Sequence, residues 1–149
     1  MKGIIVENIS NLYRVEANAK IYDTIARGKF KKDEITPVVG DKVEIENIDD
    51  NKNTAVIEKI YERKTYIKRP KMSNITQLIL VVSSKNPKPD LLMLDKQLAY
   101  SEKIKIEPII IVNKCDLKDE YKTIKELYTK VGYKVIVTSA KQNIGIDEL

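Results

Sequence analysis

The apolar residues of this chain change their spacing near residue 70. Before that point they alternate with polar residues in short runs, as Val43 and Ile45 do, which is typical of strands with one buried face. After it, longer apolar runs alternate with stretches whose apolar residues recur every three or four positions, which indicates a parallel sheet with crossover helices. The sequence therefore predicts two domains, residues 1–69 and 70–149.

The first domain is predicted to be all-β. Turn-forming residues interrupt the alternation at residues 8–11, 18–19, 37–40 and 49–53, which leaves four or five strands. An open sheet of this size would expose unpaired edges, so we expect a small antiparallel barrel.

The second domain is predicted to contain a parallel sheet covered on both faces. Its strands follow three apolar runs: Leu78–Val82, Ile109–Val112 and Val135–Thr138. Asp90 is the predicted N-cap of the first helix, and the second helix is expected from about Asp119 to a left-handed stop at Gly132. Another helix is expected to begin near Gly145.

Two short polar motifs follow consecutive predicted strands of this sheet. Asn113-Lys114-Cys115-Asp116 comes directly after one strand, and Ser139-Ala140-Lys141 comes directly after the next. Ligands of parallel sheets bind outside the carboxyl ends of the strands, so both motifs are expected at one rim.

The residue types of the two motifs match the hydrogen-bonding groups of guanine. Asp116 can accept from the N1 proton and the 2-amino group, and the N–H of Ala140 can donate to O6. Asn113 can lie near N7 and O6 and also join the two loops, while the methylenes of Lys114 can cover the purine. We therefore predict a nucleotide site at Asn113, Lys114, Asp116, Ser139 and Ala140. The pattern Asn-Lys-x-Asp alone would arise by chance in roughly one such chain in ten, so the prediction depends on the strand positions of both motifs.

The composition excludes several classes of site within these 149 residues. The chain has no histidine and one cysteine, which excludes a zinc site and a histidine-based catalytic triad. Its five glycines never form Gly-x-x-x-x-Gly-Lys-Ser/Thr, the loop that cradles nucleotide phosphates. Ordinary GTPases carry that loop before the base-reading loops, so the order is predicted to be permuted, with the phosphate half beyond Leu149. No apolar run is long enough for a membrane span, and we expect a cytoplasmic protein without a membrane partner.

A basic cluster in the first domain is a candidate RNA contact, in a chain of net charge +5. Its cations could bind backbone phosphates while Phe30 or a nearby tyrosine stacks on a base. A solvated hairpin explains the same charges almost equally well. The predicted RNA-binding residues are Arg27, Lys29, Phe30, Lys31 and Lys32.

Several segments of the chain, in the same order, resemble one family. Besides the two guanine motifs, these segments are Arg27-Gly28-Lys29-Phe30, Pro37-Val38-Val39-Gly40-Asp41, residues 74–83 with Gln77, and residues 91–98 with Asp95. Together they resemble the circularly permuted GTPases of small-subunit ribosome assembly, called RsgA, YjeQ or YloQ.

The resemblance implies an N-terminal OB-fold that contacts 16S rRNA, a permuted GTPase domain and a C-terminal zinc domain. It implies a protein that binds GTP or GDP, docks on the 30S subunit and leaves after hydrolysis, and we expect a monomer. Mg²⁺ and Zn²⁺ are expected only in the complete family member, and this chain alone is predicted to be inactive, with no catalytic residue. The alternatives are a non-catalytic OB-fold RNA-binding adaptor with a vestigial nucleotide domain, and an unrelated α/β enzyme that matches by accident.

Overall fold

The chain divides into two compact units, Met1–Ile75 and Thr76–Leu149. The computed structural model describes residues 1–28, 30, 35–117 and 120–149. The sequence places the change of pattern at residue 70, whereas the first compact unit continues to Ile75.

The described part of the first unit contains a closed barrel. Its strands are β1 (Lys2–Ile9), β2 (Leu12–Ala17), β3 (Lys20–Ala26), β4 (Lys42–Asp49) and β5 (Thr54–Ile60). The order around the barrel is β1-β2-β3-β5-β4, which gives the OB-like barrel that the sequence predicts. The expectation of a fully antiparallel barrel is wrong for one pair, because β3 and β5 run parallel. The connection after β3 is long enough for β4 to pair with β1, so β5 closes the barrel beside β3 in the same direction.

The alternating residues of the strands fill the barrel as the sequence predicts. Tyr13, Val15 and Ala17 of β2 are buried, and so are Val43 and Ile45 of β4. Burying a valine or isoleucine side chain contributes about 1.5–3 kcal/mol, so these positions account for much of the stability of the unit.

A buried carboxylate joins the segment before β4 to a short hairpin, β6 (Tyr66–Lys68) and β7 (Lys71–Ser73). Asp41 is fully buried. Its Oδ1 accepts hydrogen bonds from Arg63 Nε at 2.7 Å and Ser73 Oγ at 2.6 Å, and its Oδ2 accepts from Arg63 at 2.8 Å and the Val38 N–H at 2.8 Å. Gly40 allows this approach, because a Cβ at its φ of +89° would lie 2.0 Å from the Ser73 carbonyl oxygen.

The second unit contains the predicted parallel sheet. Its elements are β8 (Gln77–Ser83), α1 (Leu91–Lys103), β9 (Glu107–Asn113), α2 (Glu120–Val131) and β10 (Lys134–Val137). The strand order is β10-β9-β8, and every pair is parallel. Asp90 caps α1 by accepting from the Met93 N–H, and Gly132 follows α2 with a φ of +106°, so both predicted helix limits are confirmed. The residues after Gly145 form a short 3-10 helix, Ile146–Glu148.

The two α-helices, α1 and α2, pack on one face of this sheet. Leu94 and Leu98 of α1 and Ile124 of α2 pack with Leu80 and Ile110 of the strands. On the opposite face of β8, Ile79 is 50% exposed and Val81 is 63% exposed. On this same face Ile109, Ile111 and Ile136 are buried, so the expectation of a sheet covered on both faces is met by the described residues of β9 and β10 but not by β8. None of the described helices combines the length and the apolar character needed to cross a membrane.

Candidate functional site

Strands β9 and β10 bring the two polar motifs to one edge of the sheet. The strands pair in parallel with Val112 opposite Val137. Both strands therefore end at the same level of the sheet. Asn113 is the last residue of β9, and Ser139 lies two residues beyond the end of β10.

Asn113 joins the two loops. Its Oδ1 accepts hydrogen bonds from Thr138 Oγ1 at 3.2 Å and from the Ala140 N–H at 3.1 Å. The Ala140 N–H, which the sequence analysis predicts to donate to guanine O6, is therefore engaged by Asn113 in this structure. The loop-joining contact itself agrees with the geometry expected from the sequence.

Asp116 contacts the same neighbouring loop through a serine. Its Oδ1 accepts a hydrogen bond of 2.5 Å from Ser139 Oγ, and Ser139 is fully buried. The Ser139 hydroxyl in turn accepts from the Gln142 N–H at 3.2 Å. Among the described residues, the second carboxylate oxygen of Asp116 makes no hydrogen bond or ion pair.

Lys114 adopts a left-handed backbone conformation, with a φ of +66°. Its ammonium group donates to the carbonyl oxygen of Asn86, in the loop after β8. This contact and its partial burial hold the side chain against the loop. Cys115 is also partly buried, and its N–H donates to the Thr138 carbonyl at 3.1 Å.

One residue at this edge is missed by the sequence patterns. Ser84 follows β8, and its hydroxyl donates to the Lys114 carbonyl oxygen at 2.7 Å. No motif marks it, since a serine after a strand is common in loops. The signal that could have identified it is its position directly after β8, which is paired with β9 in the same parallel sheet.

The structure describes two of the five predicted RNA-binding residues, Arg27 and Phe30. Lys29, Lys31 and Lys32 lie outside the described residues. Arg27 is paired with two carboxylates, Glu58 at 2.6 Å and Glu46 at 3.8 Å, so its charge is largely compensated.

Phe30 is also placed differently from its predicted role. It is 9% exposed and packs in the barrel core, where burial of its apolar ring is favourable. The expectation that its ring is available to stack on a base is therefore wrong for this conformation.

The described residues contain no group of three or more His, Cys, Asp or Glu side chains that could hold a metal ion. The carboxylate, amide and backbone N–H groups at the ends of β9 and β10 form instead a set of donors and acceptors suited to a nucleobase edge.

Comparisons with known proteins agree on one family for both units. The family model for the RsgA N-terminal domain matches residues 2–57, and the model for the RsgA GTPase matches residues 60–149.

Individual relatives match along nearly the whole chain. The small ribosomal subunit biogenesis GTPase RsgA of Alkaliphilus metalliredigens is 38% identical over 150 residues, covering 99% of this chain and 51% of that protein. The protein of the same name from Moorella thermoacetica is 37% identical over 150 residues, covering 100% of this chain and 51% of that protein. The chain therefore spans about half the length of the curated relatives it matches.

Two solved structures share the fold. YjeQ from Thermotoga maritima superposes with a TM-score of 0.86 and 34% identity, over 99% of this chain and 54% of that one. YloQ, described as a circularly permuted GTPase, superposes with a TM-score of 0.79 and 34% identity, over 94% of this chain and 52% of that one.

Proposed function

This chain belongs to the RsgA family, and from that membership we propose that it carries the OB barrel and the guanine-recognition loops of a small ribosomal subunit biogenesis GTPase. In this proposal residues 1–69 form the RNA-contacting domain and residues 70–149 the first half of the permuted nucleotide domain. The complete protein binds and hydrolyses GTP while it acts in the cytoplasm on the 30S subunit.

One observation carries the proposal for the nucleotide. The Asp116 carboxylate and the Ala140 N–H lie at the ends of neighbouring strands, connected through Ser139 and Asn113. Guanine presents two donors and an acceptor along one edge, whereas adenine presents neither the 2-amino group nor O6. A carboxylate and an N–H donor held close together therefore favour guanine. Lys114 completes the site by covering the purine with its methylenes.

The residues of this chain do not fit the other groups that the family implies. A triphosphate with Mg²⁺ requires a glycine-rich loop followed by Lys and Ser or Thr, and this sequence contains none. Zinc requires clustered cysteines or histidines, and the chain has one cysteine and no histidine. Hydrolysis is therefore proposed for the complete protein, and the 149-residue chain alone is proposed to bind guanine weakly without hydrolysing GTP.

The rRNA contact is proposed for the barrel, and no single rRNA element is assigned to it. Arg27 pairs with Glu46 and Glu58 at the surface, so an rRNA phosphate would compete with these carboxylates for its guanidinium. Lys29, Lys31 and Lys32 keep their proposed role as phosphate contacts.

A titration of the ¹⁵N-labelled chain with millimolar GMP and AMP tests the base specificity. We expect amide shifts at residues 113–117 and 139–141 with GMP and none at these positions with AMP. Equal responses to the two nucleotides would defeat the guanine assignment.

A second experiment tests the ribosomal partner, by sedimentation of the chain with purified 30S or 50S subunits. Preferential association with 30S is expected, and equal association with both would contradict the proposed partner. If the chain binds RNA but shows no preference for GMP over AMP in the titration, the non-catalytic adaptor would be favoured.

A further inference from the structure

A serine outside both recognised motifs contacts the loop that carries Asp116. Ser84 lies just after β8, is 2% exposed, and its hydroxyl donates to the Lys114 carbonyl oxygen at 2.7 Å. The same carbonyl accepts the Leu117 N–H at 3.1 Å, which closes the turn of residues 114–117. The Lys114 carbonyl oxygen therefore accepts two hydrogen bonds. One, from the Leu117 N–H, closes the turn, and the other comes from Ser84, the residue that follows β8.

The backbone of Ser84 contributes a second contact. Its N–H donates to the Asn113 carbonyl oxygen at 2.8 Å. The carbonyl groups on both sides of the Lys114 N–Cα bond are thus held by Ser84. Lys114 has a φ of +66°, which is uncommon for a residue with a side chain and requires support from its surroundings.

The opposite side of the turn is held from β10. Ser139 Oγ donates to Asp116 at 2.5 Å, and the Cys115 N–H donates to the Thr138 carbonyl at 3.1 Å. The turn lies between contacts from both neighbouring strand ends. Ser139 holds the carboxylate itself, and Ser84 holds the backbone that carries it.

We propose that Ser84 is a positioning residue for guanine selection, an inference that rests on the proposed function of the site. Without its hydroxyl, the Lys114 carbonyl retains, among the described residues, only the bond within the turn. The turn then opens more often, and the Asp116 carboxylate spends less time in the geometry that accepts the N1 and 2-amino protons of guanine. The energetic gain from a contact of this kind depends on keeping both partners in place before the ligand binds.

Ser84→Ala tests the role against two matched controls. Ser83→Ala removes the preceding hydroxyl, which donates to the Lys85 carbonyl at 2.6 Å rather than to the turn. Ser101→Ala removes a fully buried hydroxyl that donates to Leu98 O at 2.7 Å within α1. Ser84→Thr keeps the hydroxyl, and Ser84 borders a cavity of about 480 Å³.

The first measurement needs no nucleotide. Hydrogen exchange at the Leu117 amide is expected to be roughly threefold to tenfold faster in Ser84→Ala, the factor that corresponds to one net hydrogen bond. Both serine controls and Ser84→Thr are expected to exchange as the wild type does. Unchanged exchange in Ser84→Ala would overturn the inference, and so would equal acceleration in Ser101→Ala.

The second measurement is the ratio of GMP to AMP affinity, from amide shifts. Ser84→Ala is expected to lower this ratio roughly threefold to tenfold, with recovery in Ser84→Thr. If the wild type prefers GMP to AMP and Ser84→Ala shows the same preference, only the role of Ser84 would be overturned. A wild type that does not discriminate would overturn the proposed guanine site, and with it the role of Ser84 in selection.

Discussion

The hydroxyl of Ser139 donates a 2.5 Å hydrogen bond to the carboxylate of Asp116, across the ends of two neighbouring strands. This contact orients one oxygen of the carboxylate and leaves the other without a hydrogen bond from the described residues. A nucleobase with adjacent N–H donors fits such a carboxylate better than one with a single donor beside an acceptor. The first prediction therefore concerns a substitution that removes the negative charge of Asp116.

Asp116→Asn is expected to shift the preference of the chain from guanine to xanthine. The amide replaces an acceptor with a donor, which opposes the 2-amino group of guanine and matches the 2-oxo group of xanthine. Losing a hydrogen bond to a charged group costs about 1.5–3 kcal/mol, so GMP affinity should fall roughly tenfold or more. Competition between GMP and XMP, followed by amide shifts, measures the change. The exposed Asp147→Asn is the control, and an unaltered GMP to XMP ratio in Asp116→Asn would count against the site.

Asp41→Asn is expected to destabilise the first unit strongly. The carboxylate is fully buried and bound to Arg63, Ser73 and the Val38 N–H, so loss of its charge leaves the guanidinium without its ion-pair partner. Breaking such a pair from one side costs about 3–5 kcal/mol. Urea unfolding followed at the Val15 amide measures the loss.

The control for this experiment is Asp23→Asn, which removes a surface ion pair with Arg14. It is expected to cost less than about 1 kcal/mol. An Asp41→Asn variant as stable as Asp23→Asn would show that the buried network contributes little.

Tyr128 is expected to make the second unit sensitive to alkaline pH. Burial, together with the hydrogen bond of 2.7 Å to Asp95, raises the pKa of its phenol above the ordinary value near 10. The folded state therefore holds the proton more tightly than the unfolded chain. The resulting stability is complete below about pH 10 and is lost as the pH rises towards the higher folded pKa.

The measurement is the free energy of unfolding of the second unit between about pH 9 and pH 11. Tyr128→Phe is expected to lose less stability over this interval than the wild type, because it has no proton to release. Tyr100→Phe, at an exposed tyrosine of α1, should behave as the wild type does. Parallel pH curves for Tyr128→Phe and the wild type would refute this linkage.

Val81→Thr combined with Ile79→Thr is expected to reduce self-association of the chain. Both residues are half or more exposed on a strand that, among the described residues, lies at the sheet edge. Exposed apolar edge strands favour pairing between copies. Sedimentation velocity at increasing concentration should show association of the wild type and less of the variant. Val131→Thr, at an exposed residue of α2, is the control. Equal association of the wild type, the double variant and this control would show that Ile79 and Val81 do not cause the association.

The strands and helices were predictable because their apolar spacing is regular. Val15 and Ile57 follow the alternation of half-buried strands, and Asp90 and Gly132 limit their helices as cap residues do. The parallel pairing of β3 with β5 was not predictable in the same way. Both strands show the same alternation whichever direction they run, so topology depends on contacts far apart in the chain.

The candidate site was partly predictable for a similar reason. Asn113 and Ser139 follow apolar runs directly, so their meeting at one edge follows from parallel pairing. Ser84 was missed because its contact is with a backbone carbonyl, which no residue pattern records. Phe30 was assigned to the surface because its neighbours are charged, whereas the barrel core receives its ring.

The most direct test of the guanine site is a structure of the chain with GMP bound. The account predicts that the Asp116 carboxylate lies within about 2.7–3.2 Å of the guanine N1 and 2-amino nitrogens, with O6 at the Ala140 N–H. A base bound elsewhere on the chain, or bound with that edge turned away from Asp116, would contradict it.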